Sequence, residues 1–215
     1  MTELKHIYYL LILSGLFALL INVKKLDRII LLYIPILLSA FVTEKISDYT
    51  APRLISKQVY HYYHFAETIL LSVYYYHILN EKKHKIILST TVLLYLVYCI
   101  RVYGLYPENL NTDKRGEVVV QGIIITLASV FYLYELYKDQ ATINFLKKNH
   151  FWLVTVNMIF FAGSLFFNGY TYYLLVTKEK FYSQLSYIMV ALNYILYVTY
   201  FIVFLCPIKI HRKSY

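Results

Sequence analysis

The chain has 215 residues, of which 60% are hydrophobic and only 15% charged, and its formal net charge is +9. A soluble domain is typically about 45–50% apolar and about 25% charged, so this composition indicates a membrane protein. The apolar content excludes intrinsic disorder, and the six Gly, four Pro and two Cys exclude collagen-like, Pro/Gly-rich and disulfide-scaffold chains.

Seven apolar stretches are each about long enough to cross a bilayer, since a helix needs about 20 residues to do so. They cover residues 7–23, 26–42, 59–79, 86–105, 118–137, 151–175 and 182–206. The loops between them leave no room for a soluble domain. The sequence therefore predicts an all-α fold, a single multi-pass membrane domain over residues 1–215 built as a seven-transmembrane-helix bundle.

Two local features predict the geometry of individual helices. Pro35 falls inside the second stretch, where we expect a kinked helix. Gly122, Thr126 and Ser129 form a small-residue face on the fifth stretch, which favours a close contact with another helix over a binding site.

The basic residues predict an orientation. With seven spans the chain ends lie on opposite sides, and twelve of the 21 Lys and Arg residues fall on the side of the C-terminus. The positive-inside rule then places the N-terminus out and the C-terminus in. Charges at the span ends contact anionic membrane lipids, and no clustered basic stripe is left for binding nucleic acid.

Aromatic residues near the span ends predict two interfacial belts. The belt on the cytoplasmic side is predicted to contain Tyr74, Tyr75, Tyr76, Tyr132, Tyr134, Tyr137 and Trp152. His77 and His84 lie near the same boundary, and we expect both to be solvated.

The third stretch has the densest group of ionisable residues, with the spacing H-x-x-H-x-x-E at His61, His64 and Glu67. At about 100° per residue, these three side chains share one broad helix face. Ionisable groups within a span are costly, so they are functional hypotheses by default, although packing between helices is the alternative.

Other polar residues of the spans fall at a similar predicted depth. Arg101 lies in the outer half of the fourth span, Gln121 near the start of the fifth, Asn168 near the outer end of the sixth, and Asn193 near the middle of the seventh. We therefore predict an outward-facing polar pocket between the helices. The candidate ligand-binding residues are His61, His64, Glu67, Arg101, Gln121, Asn168 and Asn193. We expect no cofactor and no metal, because one straight helix cannot wrap its three ligands around one ion.

Known seven-helix classes fit poorly. The seventh stretch has no Lys for a retinal Schiff base and no His for the zinc hydrolases of the adiponectin-receptor type. Nucleophile-elbow, P-loop and C-x-x-C motifs are missing from the sequence.

Four short segments resemble a family of small seven-helix inner-membrane proteins of Bacteroidota. They are Tyr60-His61 with Glu67, residues 128–132 with Tyr134-Glu135-Leu136, Phe151-Trp152 with Ala162-Gly163-Ser164, and residues 192–197. The chain departs from that pattern at Val154, where the family usually has Asn. Such proteins are often encoded beside histidine kinases, so the resemblance implies a sensory role and a signalling partner protein.

The interpretation we favour is a receptor-like sensor whose pocket takes a small-molecule ligand. Arg101 would pair an anionic group of that ligand, and the state of the pocket would pass to a partner through the basic segment 138–150. Two alternatives remain open. One is a transporter, channel or homo-oligomeric pore, and the other is an intramembrane enzyme acting on lipid.

Overall fold

The computed structural model describes residues 2–49, 53–106, 116–139, 145–177 and 179–206, with side chains left out at 2–5, 53–56, 170–177 and 179–184. Seven α-helices run through these ranges, and each overlaps one of the seven predicted stretches. They are α1 Thr2–Ile21, α2 Tyr33–Tyr49, α3 Arg53–Ile78, α4 Lys82–Cys99, α5 Gly116–Lys138, α6 Asn149–Thr177 and α7 Glu179–Leu205. The all-α prediction is confirmed.

Five helical segments are long and apolar enough to cross a membrane, which indicates a membrane protein. They are Arg28–Tyr49, Lys82–Gly104, Gly116–Lys138, Asn149–Gly169 and Leu185–Leu205. Large apolar side chains also cover the outside of the bundle, where Phe17 is 66% and Leu93 61% exposed. A surface of this kind is compatible with lipid and not with water.

Helices α1 and α3 are not among those five segments. The apolar part of α1 is shorter, His6–Ile21. Helix α3 has 26 residues, which is about 39 Å at 1.5 Å per residue, but it is the least hydrophobic of the seven. Two of the polar side chains that make it so, His64 and Glu67, line the cavity described below.

Six helices form a closed ring in the order α1, α2, α3, α5, α6, α7 and back to α1, as their mutual contacts show. Helix α4 lies outside this ring and packs on α3 and α5. Its apolar window is only 17% buried, whereas that of α5 is 50% buried. Helix α5 is therefore central and α4 peripheral.

Pro35 does not kink an α-helix in the way the sequence predicted. The second stretch begins as a 3-10 helix over Arg28–Leu32, and α2 starts at Tyr33, so Pro35 is its third residue. The first N–H groups of an α-helix have no intrahelical partner, and a proline there loses no hydrogen bond of α2.

Tyrosines fill the core near the middle of the bundle. Asn157 on α6 donates to the Tyr33 hydroxyl at 2.9 Å and accepts a hydrogen bond from Tyr200 at 2.5 Å, which ties α2, α6 and α7 together. Tyr75 on α3 is fully buried and pairs with the Ser129 hydroxyl on α5 at 2.6 Å. These buried tyrosine hydroxyls have hydrogen-bond partners, as a low-dielectric interior favours.

The predicted cytoplasmic belt is therefore only partly right. The buried members Tyr74, Tyr75 and Tyr132 belong to the core. Exposed aromatic side chains remain at the positions that fit a belt: Tyr76, Tyr134, Tyr137 and Trp152. Adjacent positions on a helix are about 100° apart, so one run of aromatic residues has both buried and exposed members, and hydropathy alone does not show which are which.

His84 was expected to be solvated, and this prediction is wrong, whereas His77 is exposed as expected. His84 is buried and its Nδ1 lies 2.6 Å from Glu135 Oε1 on α5. The same carboxylate accepts hydrogen bonds from the backbone N–H groups of Asn80 and Glu81, at 2.6 and 3.1 Å. Glu135 thereby fixes the loop between α3 and α4 against α5.

The small-residue face on α5 makes the close helix contact that the sequence predicted. A Cβ added at Gly122 would lie 2.7 Å from Leu165 Cγ and 3.3 Å from the Phe161 carbonyl oxygen, both on α6. Near the far end of α6, a Cβ added at Gly169 would meet nothing within 4 Å.

We predict that Gly122→Ala lowers the free energy of unfolding by about 1–3 kcal/mol, because α5 and α6 must move apart to admit the methyl group. The matched control Gly169→Ala should be neutral or stabilising by up to about 1 kcal/mol, since Ala is the better helix former. Unfolding of both variants in detergent checks this. Equal stability of the two variants would show that the α5–α6 contact does not depend on Gly122.

Candidate functional site

A cavity of about 440 Å³ lies between the helices of the ring. Its described lining comes from α1, α2, α3, α5, α6 and α7, while α4 contributes none of it. On α1, α3, α5 and α7, the lining residues lie mostly in the first half of the helix or near its middle. On α2 and α6, they lie near the middle or in the second half. The cavity therefore lies towards the end of the bundle where α1 begins. Its volume is within the range of small-molecule pockets, about 300–1,000 Å³.

Five of the seven predicted ligand-binding residues line this one cavity: His64, Glu67, Gln121, Asn168 and Asn193. His61 is buried beside the cavity and faces α5 instead. Arg101 is exposed and lies outside the described lining.

Glu67 stands at the centre of the polar part of the cavity. The Tyr63 hydroxyl donates to its Oε1 at 2.6 Å, and Gln121 Nε2 donates to its Oε2 at 2.8 Å. A carboxylate has room for about four hydrogen bonds. Glu67 thus keeps two acceptor positions beyond these contacts.

Two buried polar atoms of the lining have no hydrogen-bond partner within the described part of the chain. They are the Gln121 side-chain oxygen and His64 Nδ1. Gln121 is fully buried, and His64 Nδ1 lies 3.8 Å from Glu67 Oε2, which is too far for a hydrogen bond. A buried polar atom without a partner costs free energy, so these atoms mark places where a bound molecule would be stabilised.

The amides of Asn168 and Asn193 make local contacts. Asn168 Nδ2 donates to the Ser164 carbonyl at 2.9 Å, and Asn193 Nδ2 donates to the Met189 carbonyl at 2.9 Å. Each amide group is held on its own helix by this bond, so both side chains are fixed parts of the cavity wall.

His61 belongs to a separate buried cluster. Its Nδ1 lies 2.6 Å from Glu117 Oε1, and the Tyr103 hydroxyl donates to Oε2 of the same carboxylate. His61 and His64 lie about 60° apart around α3, and this angle is enough to give them different neighbours. The cluster joins α3, α5 and the segment after α4 without reaching the cavity.

Arg101 is placed away from the cavity by two features of α4. The helix packs on the outside of the ring, and it ends at Cys99 in a π-helical turn over Ile100–Gly104. An exposed side chain on this turn faces away from the bundle interior. The expected pairing of Arg101 with an anionic ligand has no geometric support in this structure.

Sequence reasoning missed the aromatic wall of the cavity and one carboxylate. Tyr187, Tyr194 and Tyr197 on α7 line the cavity, and so does Tyr8 on α1. Their spacing along α7 is that of one helical face, a signal that the sequence does contain. The carboxylate is Glu44, which falls beyond the predicted second span and was therefore assigned to a loop.

Among the residues that the structure describes, no group of three or more His, Cys, Asp or Glu side chains could hold a metal ion. The cavity offers acceptor atoms and aromatic faces. What it supports chemically is the binding of a small molecule.

No family model matches this chain, and no curated protein or solved structure is similar to it. The resemblance to the seven-helix family of Bacteroidota stays a prediction, and the site is interpreted from its own geometry.

We predict that His61→Leu and Glu117→Leu each lower the free energy of unfolding by about 3–5 kcal/mol, since each leaves a buried polar partner unpaired. The loss of the double variant should be about 1–3 kcal/mol smaller than the sum of the two single losses. Detergent unfolding of all three variants measures this coupling.

The matched control pairs Glu117→Leu with His77→Leu, because His77 is an exposed histidine of the same helix. The effects of this second pair should be additive. Additive effects in the first pair would contradict the role of the His61–Glu117 contact in holding α3 to α5.

Proposed function

We propose that this chain is a multi-pass membrane protein with seven spans that works as a receptor-like sensor of a small molecule. In this proposal the N-terminus lies outside and the C-terminus inside, in the inner membrane of a bacterium. The cavity near the start of α1 then faces the outer half of the bilayer and takes the ligand.

The observation that carries the proposal is the fully buried Gln121 amide in the cavity wall, whose oxygen has no partner in the described residues. A buried side-chain amide between packed helices usually has both its oxygen and its nitrogen satisfied, as happens at Asn157. The cavity volume and the inward position of His64 and Glu67 support the same interpretation.

The described loops are short, so a response to ligand needs a second protein to receive it. The segment 138–150 remains our proposed contact for that partner, although residues 140–144 lie outside the described part. The transporter or pore and the lipid-acting enzyme stay as alternatives, and the experiments below separate them.

The proposed orientation can be tested directly with the native cysteines. Cys206 is exposed just after α7, while Cys99 is buried. We predict that a membrane-impermeant maleimide leaves Cys206 unlabelled in intact cells and labels it after permeabilisation. In a Cys206→Ser background, Tyr49→Cys at the opposite end should label in intact cells, since Tyr49 is 84% exposed. The reverse pattern would invert the proposed orientation.

Ligand occupancy is tested by native mass spectrometry of the full chain purified from membranes in mild detergent. We predict a monomer or dimer that carries a small bound mass. Gln121→Met keeps the side-chain length but removes the amide, so this variant should lose the mass.

The matched control is Gln58→Met, a glutamine of α3 outside the described cavity lining. It should retain the bound mass. A bare higher oligomer that conducts ions in liposomes would favour the pore, and a chemically altered lipid product would favour the enzyme. Either result would overturn the sensor proposal.

A further inference from the structure

We propose that the cavity binds a small organic ammonium ion that has N–H donors. This inference deepens the proposed function and rests on the cavity being a ligand site. It also replaces the anionic ligand that the sequence alone suggested.

Apart from His64, the ionisable side chains of the described lining other than tyrosine are carboxylates. Glu67 and Glu44 both contribute carboxylates, and the described lining contains neither Lys nor Arg. Both hydrogen-bond donors to Glu67 are neutral groups, from Tyr63 and Gln121, so they stabilise its negative charge without cancelling it. In a site of low dielectric constant, such a charge favours a cation strongly.

The hydrogen-bond pattern selects the kind of cation. The Gln121 oxygen is a buried acceptor in need of a donor, and it belongs to the amide that contacts Glu67 Oε2 at 2.8 Å. One ligand nitrogen with two or more N–H groups could therefore donate to the amide oxygen and to a free lone pair of the carboxylate. A quaternary ammonium ion offers no such donors and would leave the amide oxygen unpaired.

The aromatic side chains of the cavity wall are suited to contact the rest of such a ligand, beyond its ammonium group. Tyr8, Phe160, Phe161, Tyr194 and Tyr197 present aromatic rings around the polar group. Aromatic faces attract a cation, and they also pack against an apolar tail. Tyr187 lines the cavity and is 64% exposed, so the lining continues to the outside of the bundle along α7.

Two sources share this chemistry, a free primary amine and the ammonium head group of an aminophospholipid. A free amine would enter from the aqueous side. A lipid head group would enter along α7, where Tyr187 connects the cavity with the surrounding bilayer.

The test uses the full chain and three probes of similar shape: 2-phenylethylamine, 2-phenylethanol and 3-phenylpropionate. Binding is measured by calorimetry in detergent at about pH 8, where an ordinary imidazole with a pKa of about 6.5 is neutral. We expect the amine to bind at least about tenfold more tightly than the alcohol, and the carboxylate to bind weakest.

The decisive variant is Glu67→Gln, which removes the charge and keeps the side-chain shape. Rotation of the Gln121 amide would let its oxygen accept from the new side chain, so the fold should tolerate the change. We expect this variant to lose the preference for amine over alcohol. Glu67→Asp, which keeps the charge, should retain at least part of it.

Glu81→Gln controls for the change in net charge. Glu81 is a partly exposed carboxylate at the other end of α3, and its Oε2 lies 3.0 Å from Lys83 Nζ, which holds the pKa of this carboxyl below its usual value. This variant should bind the amine as the wild type does.

Measurements in nanodiscs separate the two sources. If an aminophospholipid occupies the site, phosphatidylethanolamine should compete with the amine probe and phosphatidylcholine should not. Equal amine affinity in both lipids would assign the site to a free amine.

Tighter binding of the carboxylate, or an amine preference that survives Glu67→Gln, would overturn the ammonium proposal. Failure of the amine to bind at millimolar concentration in detergent and in phosphatidylcholine nanodiscs would overturn it as well. The ligand cavity would still stand in these cases if native mass spectrometry showed a bound mass that Gln121→Met loses. The experiments can therefore refute the ammonium ligand without refuting the ligand cavity.

Discussion

Lipid offers no hydrogen bonds, and the polar contacts between α3 and α5 follow from this constraint. Tyr75 on α3 meets Ser129 on α5 at 2.6 Å, Glu67 accepts from Gln121 at 2.8 Å, and His61 meets Glu117 at 2.6 Å. These three polar groups of α3 would be costly on the lipid side, and each has its partner on α5. This constraint sets the rotation of α3.

The cavity is a consequence of the same arrangement. Gly122 allows α5 and α6 to approach closely, and α7 returns beside α1 to close the ring. Near the start of α1 the side chains do not fill the interior, and Gln121 is left with an acceptor that no described residue satisfies. In the described part of the chain, the other buried side-chain amides have hydrogen-bond partners and the Gln121 oxygen has none, which is why we interpret the cavity as a binding site.

The two ends of the bundle use similar residues for different purposes. At the far end from the cavity, His84 and Glu135 pair at 2.6 Å, and Glu135 also accepts two backbone N–H groups. Three contacts within the fold therefore engage the Glu135 carboxylate, which is not part of the described cavity lining. Glu67 has two such contacts and lines the cavity, so of these two carboxylates it is Glu67 that is placed to contact a ligand. The residue type does not distinguish the two roles, whereas the surroundings do.

Local composition and spacing were enough to predict the helices and the main polar residues of the site. Runs of apolar residues located seven helices, because helix formation in an apolar chain is governed by local composition and length. The H-x-x-H-x-x-E spacing identified Glu67 and His64, since a buried charge is rare enough to be informative. The packing of the helices against one another, in contrast, places His61 against Glu117 and leaves Arg101 outside the cavity. It also brings Glu44 and the tyrosines of α7 into the cavity wall. These depend on the rotation of each helix and on which helices are neighbours, and such long-range packing has no counterpart in the pattern of a single helix.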